Sequence, residues 1–95
     1  MPPISLPHDI RFHQLSAEDL PTLRRFYRQH GHKGKPASHE VCYALSHTDC
    51  KIVAGIRFRP YQPDHLLFRG LWVAKDKRYQ GLGKTLLNLS IEAIG

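Results

Sequence analysis

The sequence predicts an α+β domain of the layered α/β/α type, with elements in the order β-α-β-β-β-α and a mainly antiparallel sheet. Three alternating segments follow one another with short turns between them, which favours a meander of antiparallel strands. A segment with helical periodicity lies on either side of this run. The chain has 95 residues, of which 41% are hydrophobic, and no apolar run reaches the roughly 18 residues of a membrane span.

The first half of the chain contains one predicted strand and one predicted helix. Residues 1–8 are expected to form a flexible, proline-bearing tail, and residues 9–14 alternate as a half-buried strand. Residues 16–19 have the polar and acidic character of a helix start, and Gly31 is expected to end that helix. The apolar side of the helix consists of Leu20, Leu23, Phe26, Tyr27 and His30, and Arg24, Arg25 and Arg28 cover the remaining surface.

The second half contains three predicted strands and a second helix. Residues 31–39 form a loop, and residues 40–46, 51–59 and 65–74 alternate as strands. The last of these strands is the most apolar, so we expect it to be the most buried. Residues 83–94 form the closing helix, with an apolar face made of Leu86, Leu87, Leu89, Ile91 and Ile94.

A glycine-punctuated loop lies between the last strand and the closing helix. Its spacing is Arg-x-x-Gly-x-Gly, at Arg78, Gly81 and Gly83. Backbone N–H groups at a helix start point outward and the helix dipole favours an anion, so such a loop is typical of a phosphate site. A Walker A loop would need glycine at position 78, and the dinucleotide fingerprint Gly-x-Gly-x-x-Gly is also absent.

With the preceding Leu71-x-Val73 strand and the following Leu86-Leu87 pair, this spacing resembles the pyrophosphate signature of the GNAT superfamily of N-acetyltransferases, which bind acetyl-CoA. The element order agrees with the first part of that fold over nearly all of residues 9–95. The resemblance implies transfer of an acetyl group from acetyl-CoA to a primary amine by direct attack. The family fold continues with further strands and a helix, so residues 9–95 are expected to be a partial GNAT domain.

The resemblance also implies which residues hold the cofactor. Gly81 and Gly83 would let the backbone approach the pyrophosphate, and Arg78 and Lys84 would add positive charge. The strand at 71–73 would run beside the pantetheine arm and polarise the thioester carbonyl, with a bulge at the preceding glycine. An ordinary strand–turn–helix with glycines for close packing is the alternative. The implied cofactor-binding residues are Leu71, Trp72, Val73, Arg78, Tyr79, Gln80, Gly81, Leu82, Gly83 and Lys84.

No catalytic residue is assigned from the sequence. The tyrosine that protonates the leaving thiolate in the family lies beyond this stretch, and none of the four tyrosines matches it. Glu40 and His65 are the candidates for a general base, although both are expected to be surface residues. The seven histidines and the pair Cys42 and Cys50 lack the spacing of a zinc site or a disulfide framework, so no metal is predicted.

The predicted partners follow from the exposed strand and the charge. Without a following strand, residues 65–74 would form a sheet edge that recruits a second copy or a complementing chain. A catalytically incomplete acetyl-CoA-binding fragment, or a split-enzyme module, is therefore the alternative function.

The net charge of +6 suits a phosphorylated cofactor or an ordinary solvated surface. Nucleic-acid binding, suggested by Arg24, Arg25, Arg28, Lys33 and Lys35, lacks a supporting motif. The absence of a signal peptide and of a disulfide framework predicts a cytoplasmic protein.

Overall fold

Four strands form one antiparallel sheet, and a helix packs on each face. The computed structural model describes residues 6–37, 39–49, 51–62, 65–77 and 81–94, with the side chains of 60–62, 65, 66 and 77 excepted. The strands are β1 (Ile10–Leu15), β2 (Val41–His47), β3 (Ile52–Gln62) and β4 (His65–Val73), and they lie in the order β1-β2-β3-β4. The helices are α1 (Leu20–Gln29) and α2 (Leu82–Ile94), so the predicted order and the antiparallel meander are confirmed.

Alternation along the strands divides the core between the two faces of the sheet. We call them the α1 face and the α2 face, after the helix that covers each. Because successive side chains of a strand point to opposite faces, neighbouring residues enter different clusters. The buried residues of the α1 face are Leu15, Leu23, Phe26, Tyr27, Cys42, Ala44, Ile52 and Ala74. Those of the α2 face are Ile10, Tyr43, Leu45, Val53, Ala54, Ile56, Phe58, Leu82 and Leu86.

The start and the end of α1 follow the local sequence. A short 3₁₀ turn at Ala17–Asp19 precedes the helix, and Ser16 and Asp19 form a reciprocal capping box. The Asp19 carboxylate accepts hydrogen bonds from the backbone N–H and the hydroxyl of Ser16, both at 3.0 Å, which lowers its pKa. Gly31 follows the helix with φ of +87°, so the predicted stop is confirmed.

The buried side of α2 is narrower than the sequence predicts. Leu82, Leu86 and Ser90 are buried at a spacing of four residues, and the Ser90 hydroxyl donates to the carbonyl oxygen of Leu86 at 2.7 Å. Ile91 and Ile94 were expected on the apolar face, yet their exposed fractions are 55% and 37%. The last turn of the helix therefore presents apolar surface that no described residue covers.

The expectation that residues 65–74 form the most buried strand is wrong. β4 lies at the edge of the sheet, and Leu67 and Phe68 on it are 45% and 51% exposed. Residues 52–58 of β3 are all buried instead, because this strand lies between two neighbours. The apolar composition of residues 65–74 predicted their burial, but the position of β4 at the edge of the sheet leaves Leu67 and Phe68 exposed.

β3 continues through Gln62, three residues beyond the strand predicted at residues 51–59; residues 63 and 64 lie outside the described part of the chain. Of the tail predicted at residues 1–8, residues 1–5 also lie outside it. Neither described helix has both the length and the apolar character that crossing a bilayer requires.

Candidate functional site

The edge strand β4 contains a bulge at the position where the sequence predicts one. The pairing of β3 with β4 changes register between Gly55 and Arg57, which lie opposite Trp72 and Arg69. The two residues between these partners, Gly70 and Leu71, face a single residue of β3. Gly70 has φ of +61°, a conformation that glycine adopts without the steric cost of a Cβ. The predicted bulge at Gly70 is thus confirmed.

A tyrosine of α1 holds the bulge from the α1 face. The Tyr27 hydroxyl donates a hydrogen bond to the carbonyl oxygen of Gly70 at 2.7 Å, across 43 positions of sequence. Burial raises the pKa of this phenol above its ordinary value, so the group stays protonated and keeps its donor. The Arg57 guanidinium lies over the Tyr27 ring at 5.6 Å from its centroid.

Arg57 is fixed by Glu40, in a buried ion pair. The two side chains are 10% and 4% exposed, and Arg57 Nη1 lies 3.2 Å from Glu40 Oε1. The same arginine nitrogen donates to the carbonyl oxygen of Lys35, and the Glu40 carboxylate accepts from the Ala37 N–H at 2.9 Å. Glu40 was expected at the surface; it is buried because it neutralises an arginine of a central strand.

The loop that follows α1 packs against β4 through aromatic rings. His32 lies between Tyr27 and Trp72, with ring centroids 4.6 Å and 4.9 Å away. Its Nδ1 accepts a hydrogen bond from the Gly34 N–H at 2.7 Å, and the indole of Trp72 donates to the carbonyl oxygen of His30 at 2.8 Å. Burial, and then the nearby Arg57 charge, lower the pKa of His32. The loop therefore packs between α1 and β4, beside the bulge.

The side chains at positions 71–73 are half-buried and alternate between the two faces. Leu71 and Val73 pack against the α2-face cluster, and Trp72 packs against the α1-face cluster. Core packing of these side chains, which the sequence also allows, is therefore observed. Their main chain lies on the edge strand, and β4 pairs with β3 alone among the strands in the described part of the chain.

The start of α2 has the geometry of an anion site. Gly81 has φ of +74°, and a Cβ built on it would meet nothing within 4 Å among the described residues. The Thr85 N–H donates to the carbonyl oxygen of Gly81 at 3.1 Å, which places Leu82, Gly83 and Lys84 in the first turn. First-turn amides have no partner within the helix, and the helix dipole adds partial positive charge there. Phosphate oxygens suit such a position.

The other predicted loop residues fall into two groups. Leu82 is buried and anchors the helix, whereas Lys84 is exposed, so its charge is accessible to solvent. A Cβ built on Gly83 would approach Val73 Cγ2 at 3.4 Å, which shows that this glycine lets α2 lie close to β4. Arg78, Tyr79 and Gln80 lie outside the described residues. The structure thus brings the strand at 71–73 and the turn at 81–84 together through this contact.

Neither general-base candidate from the sequence gains support from the described residues. Glu40 is already engaged with Arg57 and the Ala37 N–H, and the side chain of His65 lies outside the described part of the chain. Burial raises the pKa of the Cys42 thiol to about 11, which makes it a poor nucleophile. Across the described residues, no group of three or more His, Cys, Asp or Glu side chains could hold a metal ion.

Sequence reasoning missed Tyr27, Arg57 and His32 as residues of this region. Tyr27 reads as a core position of an amphipathic helix, and Arg57 as a polar residue of an alternating strand. Their roles depend on contacts with Gly70, Glu40 and the loop after α1, which sequence spacing does not disclose. The one available signal was Gly70 itself, because a bulge in an edge strand needs a partner for its displaced carbonyl group.

Three solved structures with a similar fold are described as acetyltransferases or putative acetyltransferases. An acetyltransferase of the GNAT family from Staphylococcus aureus Mu50 is 16% identical, with a TM-score of 0.69, and the alignment covers 88% of this chain and 65% of that one. A putative acetyltransferase from Exiguobacterium sp. 255-15 is also 16% identical, with a TM-score of 0.66 and coverages of 90% and 68%.

A third similar structure is a GNAT family acetyltransferase from Elizabethkingia anophelis with acetyl-CoA bound. It is 19% identical, with a TM-score of 0.62, and the alignment covers 92% of this chain and 58% of that one. The chain thus spans 58% to 68% of the length of these three proteins. No curated protein matches the sequence significantly.

The comparison with protein families agrees with the comparison with solved structures. Residues 8–94 match the acetyltransferase (GNAT) family, which is nearly the whole chain and includes the bulged edge strand and the glycine loop. The chain therefore belongs to the GNAT acetyltransferase family, as the resemblance of its loop implied.

Proposed function

We propose that this protein is a cytoplasmic acetyl-CoA-dependent N-acetyltransferase. The pyrophosphate of the cofactor binds at the first turn of α2, at Gly81, Leu82, Gly83 and Lys84, and Arg78, Tyr79 and Gln80 complete that loop. The pantetheine arm runs beside the main chain of Leu71, Trp72 and Val73. These assignments follow the family signature.

The observation that carries the proposal is the space around Gly81. A left-handed glycine at the start of a 13-residue helix has no described neighbour within 4 Å of its missing Cβ. The left-handed backbone favours glycine here, and the open space beside the first-turn amides fits an external anion. The acetyl-CoA that is bound in the Elizabethkingia anophelis structure supports the identity of that anion.

The bulge gives the proposed site a rigid strand on which to orient the reactants. When bound, acetyl-CoA supplies an activated acetyl thioester that a neutral amine attacks directly. The main chain at Gly70 and Leu71 is held by Tyr27, so donors beside the bulge are fixed before a carbonyl oxygen develops charge. Hydrogen bonds from fixed backbone donors then stabilise that charge without reorganisation at the moment of reaction.

Titration calorimetry with acetyl-CoA tests the cofactor site. We expect micromolar affinity for the unmodified chain and a loss of at least about tenfold for Gly81→Ala, since the alanine Cβ would occupy the space that the phosphates need. Gly31→Ala is the matched control. Gly31 is also left-handed, at φ of +87°, and its Cβ would meet only the Lys75 side chain, at 3.8 Å.

Both variants carry a similar backbone strain of about 1 kcal/mol, so unfolding curves should show comparable losses of stability. The proposed site is supported if the affinity for acetyl-CoA falls in Gly81→Ala but not in Gly31→Ala. Equal affinity in both variants and the unmodified chain, or no binding by the folded chain, would contradict it. Release of free thiol in the presence of primary amines then reports turnover.

The second candidate function is a cofactor-binding module that needs a partner chain to complete the enzyme. It is favoured by the exposed Leu67 and Phe68 on the edge strand β4. We propose that this edge pairs with a second copy or with a complementing chain by strand addition. Light scattering should give the mass of a dimer, and Phe68→Lys should return it to that of one chain. A monomer at high concentration would oppose self-association.

A further inference from the structure

A groove lined by positive charge runs along α1 and the loop that follows it. Two solvent-open cavities, of about 520 Å³ and 350 Å³, share Arg24 and Arg28 in their linings. Because they share these residues, the two cavities are adjacent along α1, and we call them together the basic groove. Its cationic side chains are Arg24, Arg25, Arg28, Lys33 and Lys35, and all five residues are exposed.

The charge of the basic groove is not balanced by the described part of the chain. No acidic residue lines either cavity, and none of the ion pairs between described residues involves these five cations. Five like charges on one narrow surface repel one another and produce a field that attracts an anionic ligand. Five of the 14 lysine and arginine residues of this protein thus lie on the surface that would attract such a ligand.

The groove ends beside the strand of the proposed cofactor site. His32 lines its second cavity and makes a ring contact with Trp72 of β4 at 4.9 Å. The Tyr27 ring on the other side of His32 carries the hydroxyl that holds the bulge. A ligand in the groove would therefore extend along α1 and reach the bulge at its loop end.

The shape of the groove fits an extended chain. α1 has 10 residues, so the groove follows a helix of about 15 Å, the length of four or five residues of extended peptide. Arg24 and Arg28 are four residues apart on one side of α1, a rise of about 6 Å. Side chains two residues apart on an extended peptide lie on one side at about 7 Å, which matches this spacing.

We propose that the acceptor is a peptide whose primary amine lies close to carboxylate side chains at alternating positions. The carboxylates bind Arg24 and Arg28, Lys33 and Lys35 add to the field, and the amine reaches β4 past His32. The identification of the groove as the acceptor surface rests on the proposed acetyltransfer, whereas its preference for an acidic peptide does not.

A nucleic acid is the other polyanion that such a groove could attract. Single strands bind through aromatic platforms as well as through charge, and the lining of the two cavities contains no Phe, Tyr or Trp. The lining of the first cavity instead includes Leu20, Pro21 and Pro36, which suit the aliphatic parts of a peptide. A peptide also supplies an aliphatic amine, whereas the exocyclic amino groups of nucleic-acid bases are conjugated with the ring and are weak nucleophiles.

Fluorescence anisotropy with C-terminally labelled peptides tests the preference without any cofactor. The probe is Lys-Gly-Glu-Gly-Glu-Gly, compared with Lys-Gly-Gln-Gly-Gln-Gly and with the adjacent-acid peptide Lys-Gly-Glu-Glu-Gly-Gly. We expect the alternating peptide to bind about fivefold more tightly than the glutamine peptide, and the adjacent-acid peptide to fall between them. The difference should shrink as salt is added.

The matched variants remove two charges each. Arg24→Gln/Arg28→Gln should abolish the preference for the acidic peptides, whereas Arg11→Gln/Arg59→Gln, which removes two exposed arginines outside the groove, should preserve it. Equal affinity for the acidic and glutamine peptides, an equal loss in both double variants, or tighter binding of a single-stranded oligonucleotide would each overturn the proposal. Parallel calorimetry with acetyl-CoA separates a failure here from a failure of the cofactor site.

Discussion

The bulge of β4 and the loop before α2 both contain a glycine in the left-handed conformation, but their surroundings are opposite. A Cβ on Gly70 would lie 2.7 Å from the Tyr27 hydroxyl oxygen and 2.9 Å from Arg57 Nε. A Cβ on Gly81 would meet nothing within 4 Å among the described residues. The protein itself therefore requires glycine at position 70 for space, whereas at position 81 it leaves room that a ligand can fill.

This difference indicates that the two regions have different roles in the proposed site. The bulge is held by buried polar side chains, so its carbonyl and amide groups have fixed directions. The loop presents first-turn amides to solvent, so its phosphate contacts form when the ligand binds. A rigid reacting end beside an open binding end suits a cofactor whose thioester and phosphates are far apart.

The largest expected effect concerns the buried ion pair between Arg57 and Glu40, which lies beside the bulge. Glu40→Gln removes the charge that neutralises Arg57 and should lower the free energy of unfolding by about 4 kcal/mol, since an unpaired arginine remains buried. Urea denaturation measures this loss. Glu92→Gln removes an exposed carboxylate from α2 and should change stability little. A loss below about 1 kcal/mol for Glu40→Gln would show that the ion pair is dispensable.

The next prediction compares the two glycines directly. Gly70→Ala combines backbone strain with overlap against Tyr27 and Arg57, and it should cost about 3 kcal/mol. Gly81→Ala carries the strain alone and should cost about 1 kcal/mol. Thermal and urea unfolding of both variants give the comparison. Equal costs would mean that Tyr27 and Arg57 move aside easily, and that the bulge is less rigid than its contacts indicate.

A smaller change separates the hydrogen bond from the packing of the ring. Tyr27→Phe keeps the ring but removes the donor to the Gly70 carbonyl group, and it should cost about 1.5 kcal/mol and weaken acetyl-CoA binding. Tyr43→Phe is the control, because that ring stacks on Phe12 and its hydroxyl makes no hydrogen bond to a described residue. If both variants bind acetyl-CoA like the unmodified chain, the hydroxyl does not position the strand.

The smallest expected effect concerns pH and the loop beside the bulge. The pKa of His32 is lower in the folded chain than in the unfolded one, where it is about 6.5. The unfolded state therefore binds the proton first as pH falls, so stability is full above about pH 6.5 and declines below it. Protonation would also break the hydrogen bond from the Gly34 N–H to Nδ1.

Urea denaturation at a series of pH values measures this decline, and His32→Asn should make it shallower. The asparagine can still accept a hydrogen bond from a backbone N–H two residues on, but it does not titrate. Parallel declines in the two proteins would assign the pH dependence to groups other than His32.

Much of the fold could be predicted because its signals are local. Alternation gave β1 to β4 within a few residues, and Ser16, Asp19 and Gly31 marked the start and end of α1. The burial of β4 and of Glu40 was predicted wrongly. Both depend on which elements become neighbours in the sheet, and composition along one segment contains no such information.

The sequence by itself determined the order of elements, the loop signature and the family, because these follow from periodicity, turn residues and the spacing of Arg78, Gly81 and Gly83. The tertiary structure alone decided that β4 lies at the edge, that Tyr27 and Arg57 enclose its bulge, and that the cations of α1 and its following loop line one groove. The physical reason is distance along the chain. A contact such as that of Tyr27 with Gly70 spans 43 positions and forms only when α1 packs across the sheet.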